Sequence, residues 1–261
     1  MLAMQVKEKI KKFIKRTIFL GLVFLFWWLI FKAHFWPTWL FPSPITVLRA
    51  LIKGLVNGSF VWGALISLKR VFLGFGVSLI LGTILGFSLA KLKKFEEVVN
   101  PFILGLQTLP SICWLPLALL WFGLNEKAII FIIIMGTVLS MTIAVKSAVK
   151  NIPPAYIAVG RMLGARRFNL YRFVIIPAIL PSYINGLRQS WSFAWRSLMS
   201  GEMLFITIGL GQLLMFGREL NDMALVMAVM MLIILIGTVF DQFIFGAIEK
   251  RLLLKWGLEK D

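Results

Sequence analysis

Residues 71–90 read VFLGFGVSLILGTILGFSLA, twenty positions without a charge between Arg70 and Lys91. As an α-helix rising about 1.5 Å per residue, the stretch is about 30 Å long, the thickness of a bilayer's hydrocarbon core. A helix apolar on every side is either buried in a large core or spans a membrane. Other charge-free intervals recur on both sides of it: Thr17–Phe31 holds 15 residues, Val98–Asn125 28, Ala128–Val145 18 and Met223–Phe240 18. The region 173–216 is also apolar but carries Arg188, Arg196 and Glu202. Read as one span plus a loop or re-entrant stretch, it brings the count to six spanning helices, centred near residues 25, 78, 110, 137, 190 and 232.

Composition selects the membrane reading. Of 261 residues 60% are hydrophobic and only 15% charged, against about 25% charged in soluble domains, so the expected fold class is an all-α, polytopic integral membrane protein. The net charge of +17, from 28 Lys and Arg against 11 Asp and Glu, reports cytoplasmic loops and leaflet-facing ends rather than nucleic-acid binding. One cysteine, Cys113, excludes an internal disulfide or a multi-thiolate metal site, and one histidine, His34, excludes a histidine cage.

Basic residues orient the spans. The amino-terminal tail, the loop with Lys91, Lys93 and Lys94, the loop from Lys146 to Arg172 and the tail from Lys250 to Lys260 together hold 19 of the 28 basic residues. The opposite side receives seven, Lys32, Arg49, Lys53, Lys69, Arg70, Lys127 and Arg218. Both termini are therefore expected in the cytoplasm, with the chain in the cytoplasmic (inner) membrane. The expected organisation is a basic tail (1–16), a first span acting as signal anchor (17–36), and an outer amphipathic segment (37–61). A core of five spans (62–248) contains a cytoplasmic loop (149–176), and a second tail (249–261) follows. The aromatic residues Phe35, Trp36 and Trp39 after the first span mark a membrane edge rather than a cleavage site. Ser43-Pro44 reads as the cap and first position of the outer helix, whose Val47, Leu48, Leu51, Ile52 and Leu55 recur at helical spacing.

Catalytic chemistry finds no residues to carry it. The chain has no G-x-x-x-x-G-K-[ST] phosphate loop and no H-E-x-x-H, and Asp222 and Asp241 lie too far apart for a paired-carboxylate site. No catalytic, cofactor-binding or metal-ligating residue is expected.

What remains concerns helix packing and breaking. Gly74, Gly76, Gly82 and Gly86 punctuate the second span, and Gly82-x-x-x-Gly86 is a pattern of close helix approach, within one bundle or between subunits. Pro110 and Pro116 are read as breaking the third span, Pro177 and Pro181 the start of the fifth. Carbonyls freed by proline are tolerated in lipid where protein or a water-filled cavity satisfies them, which fits a transport path or a structural kink.

The loop from Asn151 to Pro181 reads NIPPAYIAVGRMLGARRFNLYRFVIIPAILP. Pro153-Pro154 opens a short helix, Gly164 ends it in a left-handed conformation, and a second helix starts near Phe168. The product is a knob with apolar and basic faces, suited to a partner protein or to anionic lipid.

Gly160-Arg161-Met162-Leu163-Gly164-Ala165, followed by Ile176-Pro177 and Leu180-Pro181, resembles the signature loop of the membrane subunits of type I ATP-binding-cassette importers. Phe41-Pro42-Ser43-Pro44, Ser67-Leu68-Lys69-Arg70-Val71, Thr108-Leu109-Pro110, Trp121-Phe122-Gly123, Gly186-Leu187-Arg188, Ala194-Trp195-Arg196, Gly201-Glu202-Met203 and Gly209-Leu210-Gly211 follow the order of the nitrate, sulfonate and taurine branch. Residues 191–204 and 217–223 are most similar to aliphatic sulfonate permeases, and the resemblance covers about residues 40–255. It implies the type I importer permease fold with a cytoplasmic coupling helix, a homodimer, ATPase subunits that bind the ATP and Mg, and an extracytoplasmic solute-binding protein. It implies docking of the ATPase on Ala158, Gly160, Arg161, Leu163, Gly164, Ala165, Arg166 and Pro177. The family often has glutamate where this chain has Ala158, so docking here is expected to rest on shape around Gly164, where a side chain would obstruct close approach.

Charges inside a span mark functional candidates. Arg188, Arg196 and Glu202, with Pro110 and Trp195, form the expected translocation path. Arg196 and Glu202, six residues and about 9 Å apart along a helix, are too distant to pair directly. Arg196 therefore either meets an anionic solute or pairs with a neighbouring helix. The expected cargo is a small anion, an aliphatic sulfonate first, with nitrate, taurine, bicarbonate or a vitamin precursor as alternatives. A reading from another class, an ion-coupled transporter or channel acting without an ATPase, would want a buried acid near mid-membrane, for which Glu202 and Asp241 are the candidates.

Overall fold

The computed structural model describes residues 2–166, 168–204 and 207–255. Arg167 and Lys260, both counted in the charge asymmetry above, lie outside the described residues, as does the second tail from residue 256. The described residues form helices α1 (Leu2–Lys32), α2 (Pro44–Val56), α3 (Ser59–Lys91), α4 (Lys93–Gln107), α5 (Leu115–Phe122), α6 (Glu126–Lys150), α7 (Pro154–Met162), α8 (Phe168–Leu170), α9 (Ile176–Glu202), α10 (Leu210–Glu219), α11 (Met223–Phe240) and α12 (Ala247–Lys255). Four continuous helical stretches are long and apolar enough to cross a membrane: 59–91, 126–150, 168–202 and 223–252. α4 and the helical segment Ser111–Phe122 make a fifth if taken as one broken span, and the apolar part of α1, Thr17–Lys32, is shorter. α1 runs unbroken through residue 16, so the basic tail and the first span are one helix.

The third span departs from a straight rod. α4 and Ser111–Phe122 are bent by 102°, and the cause is local. Pro110 has no N–H to continue the ladder and stands extended at φ −55°, ψ 142°. Thr108 caps α4 through its N–H and its hydroxyl, both onto the Gly105 carbonyl. Pro116 does not break anything: it lies in the first turn of α5, where a missing N–H costs nothing. The expected break at Pro177 and Pro181 is likewise absent. A π turn at Tyr171–Ile175 runs directly into α9, the Ile176 N–H donating to the Tyr171 carbonyl, and Pro181 is carried inside the helix.

The chain divides into two compact units, residues 1–61 with 213–232, and residues 62–212 with 233–261. In the first, the Ser43 hydroxyl accepts from the Thr46 N–H at 3.2 Å and caps α2. Phe60 is fully buried against Gly54, where a Cβ would lie 2.6 Å from the ring. Asp222 accepts from the Leu225 N–H and starts α11.

In the second unit α6 is the central helix, burying Ile129, Ile132, Ile133, Met141 and Val145 completely. Glycines let its neighbours approach. A Cβ on Gly74, Gly82 or Gly86 of α3 would lie 2.6–2.7 Å from side-chain atoms of Ile133, Met141 and Val145. Gly186 of α9 meets Ala144 in the same way at 2.6 Å. The Gly82-x-x-x-Gly86 pattern is thus a contact of α3 with α6 inside the chain, and Gly76 of the same helix faces open space.

Candidate docking loop and translocation cavity

The knob is built from the loop's own backbone. α7 ends in a Schellman turn: the Ala165 N–H donates to the Gly160 carbonyl and the Gly164 N–H to the Arg161 carbonyl. Gly164 takes φ +82°, and nothing lies within 4 Å of where its Cβ would be. Within the chain Gly164 therefore supplies left-handed backbone rather than relief from crowding, and its open side is the one a partner would approach. Gly160 is the crowded one, its Cβ position 2.7 Å from Val174. Ile157 and Leu170 pack on a small core of Ala148, Ile152, Ile175 and Ile179, which seats the loop on α6 and α9. On the outer side Met162 and Leu163 are 85% and 82% exposed, beside exposed Tyr156, Val159 and Phe173. Ala158, Arg161 and Arg166 are exposed, Ala165 and Pro177 half-buried. Pro177, Gly160 and Leu163 line one apolar groove with Tyr156, Val159 and Phe173. Large apolar side chains standing out beside arginines are an unpartnered contact face.

The five path candidates separate. Pro110 and Arg196 line one cavity of about 320 Å³, with Gln107, Thr108, Ser111, Ser197 and Ser200. The Arg196 Nε donates to the Ser192 carbonyl at 3.2 Å, and its guanidinium lies 4.5 Å from the centroid of the Phe193 ring. Among the described residues Arg196 has no ion-pair partner. The other three candidates lie off this cavity.

Glu202 is fully buried. Its carboxylate accepts from Arg70 Nη1 at 2.8 Å, from the Ser67 hydroxyl at 2.7 and 2.8 Å, and from the Gly211 N–H at 3.0 Å. Arg70 also donates to the Ile208 carbonyl and to Glu126. Arg188 holds Asp241 through two parallel bonds of 2.9 and 2.8 Å and Glu249 through a third of 2.7 Å. Trp195 is buried, its ring stacked on Trp191 within a cluster that includes Phe72, Phe75 and Phe240. Neither Glu202 nor Asp241 is free to take up an ion, as the alternative of an ATPase-independent transporter would want.

Sequence reading missed the partners. Ser67 and Arg70, one turn apart on α3, were legible only as part of the resembling stretch Ser67–Val71, with Arg70 counted among the outer basic residues. The Arg188 triad was hidden for a geometric reason. Eight residues of regular α-helix turn through about 800°, leaving Asp241 and Glu249 about 80° apart around the axis. The π turn at Asp241–Gly246 takes up one extra residue, so the two carboxylates stand as if seven apart, about 20° from eclipsed, and both reach one guanidinium.

Comparison with known proteins places the chain. Residues 78–253 match the family described as binding-protein-dependent transport system inner membrane component, and the chain belongs to that family. An ABC transporter permease protein of Methanocaldococcus jannaschii is 36% identical over 200 residues, covering 76% of this chain and 75% of the relative. An aliphatic sulfonates transport permease protein of Bacillus subtilis is 29% identical, covering 82% of this chain and 77% of the relative. The taurine transport system permease protein of Escherichia coli is 24% identical, over 89% and 86%. Among solved structures, the inward-facing MetNI methionine ABC transporter aligns with a TM-score of 0.65 at 20% identity, covering 74% of this chain and 96% of that one. The fold is that of ABC importer permeases, and the protein is a multi-pass permease subunit for a small solute whose ATPase is a separate partner.

Proposed function

We propose that this chain works as a homodimer with both termini in the cytoplasm, two ATPase subunits docked on the α7 knob and a solute-binding protein outside, and that its cargo is a small organic anion, an aliphatic sulfonate first. The cytoplasmic tails flank a core of five spans, and ATP and Mg are bound by the ATPase. The knob supports the docking role: Met162 and Leu163 stand out in the open on a turn fixed by Gly164, and no acid at Ala158 is needed for a partner that grips apolar surface. The observation that carries the anion reading is Arg196, a guanidinium lining a hydroxyl-rich cavity without a carboxylate partner among the described residues. An arginine free to form paired bonds with an oxyanion suits a sulfonate. Sulfonate and taurine permeases among the relatives point the same way.

The test is uptake by the reconstituted importer from a panel of ethanesulfonate, taurine and nitrate, with Arg196→Gln as the variant. The expected result is transport of one or more of the panel and loss of most of it in the variant, with ATPase co-purification unchanged. Uptake by Arg196→Gln at the original rate and affinity removes Arg196 from the path.

A further inference from the structure

A second cavity of about 330 Å³ lies between α6 and α9, and Gln107 lines both it and the Arg196 cavity. Besides Gln107, its polar wall is Ser140, Ser147, Asn151, Ser182, Asn185 and Gln189, with no charged residue in the lining. Elsewhere Ser67, Thr83 and Ser190 bond to other side chains and the Thr137 hydroxyl has no partner among the described residues, whereas Ser78, Ser88, Thr142, Ser192 and Ser200 bond back to the carbonyl four residues earlier. That is the usual way to satisfy a hydroxyl in lipid. Ser140, Ser147 and Ser182 make no such bond, and among the described residues the amides of Gln107, Asn185 and Gln189 have no hydrogen-bond partner either. Six side chains with unused hydrogen-bonding capacity therefore face one space, which must hold water or a polar guest.

We propose that this is a second, charge-free station of the translocation path, and that Gln107 hands the solute to it from the Arg196 cavity. The inference rests on reading the Arg196 cavity as the anion's path. Its logic is one of decreasing attraction. On α9, Asn185 lies eleven residues from Arg196, about 16.5 Å at 1.5 Å per residue, too far for a hydrogen bond or contact ion pair with the guanidinium. An oxyanion there is solvated by neutral hydroxyls and amides and is no longer held by the guanidinium. A site that binds well enough to admit and weakly enough to release is the condition for passage.

The experiment uses the complete importer with Cys113→Ser, so that introduced cysteines are the only thiols in this subunit. Asn185→Cys and Ser147→Cys are exposed to a charged, membrane-impermeant thiol reagent from the cytoplasmic side. Both are expected to label, and labelling is expected to slow several-fold when ethanesulfonate or taurine is supplied with ATP and binding protein. Gln107→Glu, which sets a negative charge between the stations, is expected to cut uptake about tenfold while ATPase assembly is unchanged. Failure of both cysteines to label, or their joining to a second copy as a disulfide dimer, means the stripe is covered by protein and overturns the proposal. If Arg196→Gln loses transport while Gln107→Glu keeps it, the hand-over alone is wrong; if both keep it, the anion path itself falls.

Discussion

Arg70 and Glu202 meet at 2.8 Å with both side chains essentially out of contact with solvent, 132 residues apart in the chain. A carboxylate at the last residue of α9 opposes the negative end of the helix dipole, so Glu202 is tolerable there only because Arg70 faces it. The pair does more than cancel charge. Through the Gly211 N–H, the Ile208 carbonyl and the Ser67 hydroxyl, which itself accepts from the Leu210 N–H, it fastens the segment after α9 onto α3. Gly209 and Gly211 lie so close that a Cβ on either would come within 2.5–2.6 Å of Glu202.

Removing one partner should therefore cost more than removing both. Arg70→Met leaves Glu202 buried without a counter-charge, and a loss of about 3–5 kcal/mol is expected. Glu202→Gln keeps the shape and leaves the guanidinium the half-exposed Glu126 at 3.2 Å, so its loss is expected to be smaller than that of Arg70→Met. Arg70→Met combined with Glu202→Met is expected to recover much of either loss. Thermal unfolding of the three variants in one detergent measures the difference, and additive losses in the double variant would refute the pairing.

The α3 glycines supply an internal control. Gly86→Leu must displace Val145 or the Thr142 carbonyl, 2.6 and 2.7 Å from its Cβ position, and overpacking of this kind costs about 1–3 kcal/mol or more. Gly76→Leu, ten residues earlier on the same helix and facing open space, is expected to leave folding intact. Monodispersity and melting temperature in detergent distinguish the two; equal effects would mean that the close approach of α3 to α6 is not what Gly86 serves.

The spans were legible because a charge-free run of twenty residues has few alternatives, and the knob because Pro154 and Gly164 each mark a helix end by a local rule. The α2 cap at Ser43 was readable for the same reason. What lay beyond the sequence was pairing at long range. Glu202 and Arg188 look alike as isolated charges in apolar runs, and nothing near them in the chain says that Arg70, Asp241 and Glu249 are their partners. The prolines misled where a π turn was available to absorb them: Pro177 reads as a break, yet Tyr171–Ile175 carries the helix through. Arg196 stands apart from the other intramembrane charges only by lacking an ion-pair partner among the described residues, a property no local pattern encodes.

Gly164 offers a test of conformation against bulk. At φ +82° a valine is strained whatever the space around it, whereas asparagine enters the left-handed region at modest cost. Gly164→Val is expected to lose ATPase co-purification while still inserting into the membrane, and Gly164→Asn to retain most of it. Loss in both variants would instead assign the sensitivity to contact with the partner, which approaches the open side of this residue.

Arg188 and Arg196, two turns apart on α9, should fail in opposite ways. Arg188→Gln leaves Asp241 and Glu249 facing each other with no cation between them. Its side chain is about a third exposed, so the cost is expected to fall below that of the buried Arg70 pair. It should still appear as a lower melting temperature, with uptake falling in proportion to the folded protein that remains. Asp241→Asn should do more harm than Glu249→Gln, because two of the three bonds to Arg188 belong to Asp241. Arg196→Gln removes no ion pair among the described residues and loses only a bond to the Ser192 carbonyl and a contact with the Phe193 ring, so its melting temperature should nearly hold while uptake per folded molecule falls. Measuring melting and uptake on the same four preparations separates a structural arginine from a solute-facing one. A drop in stability without a drop in specific uptake for Arg196→Gln would reverse the assignment.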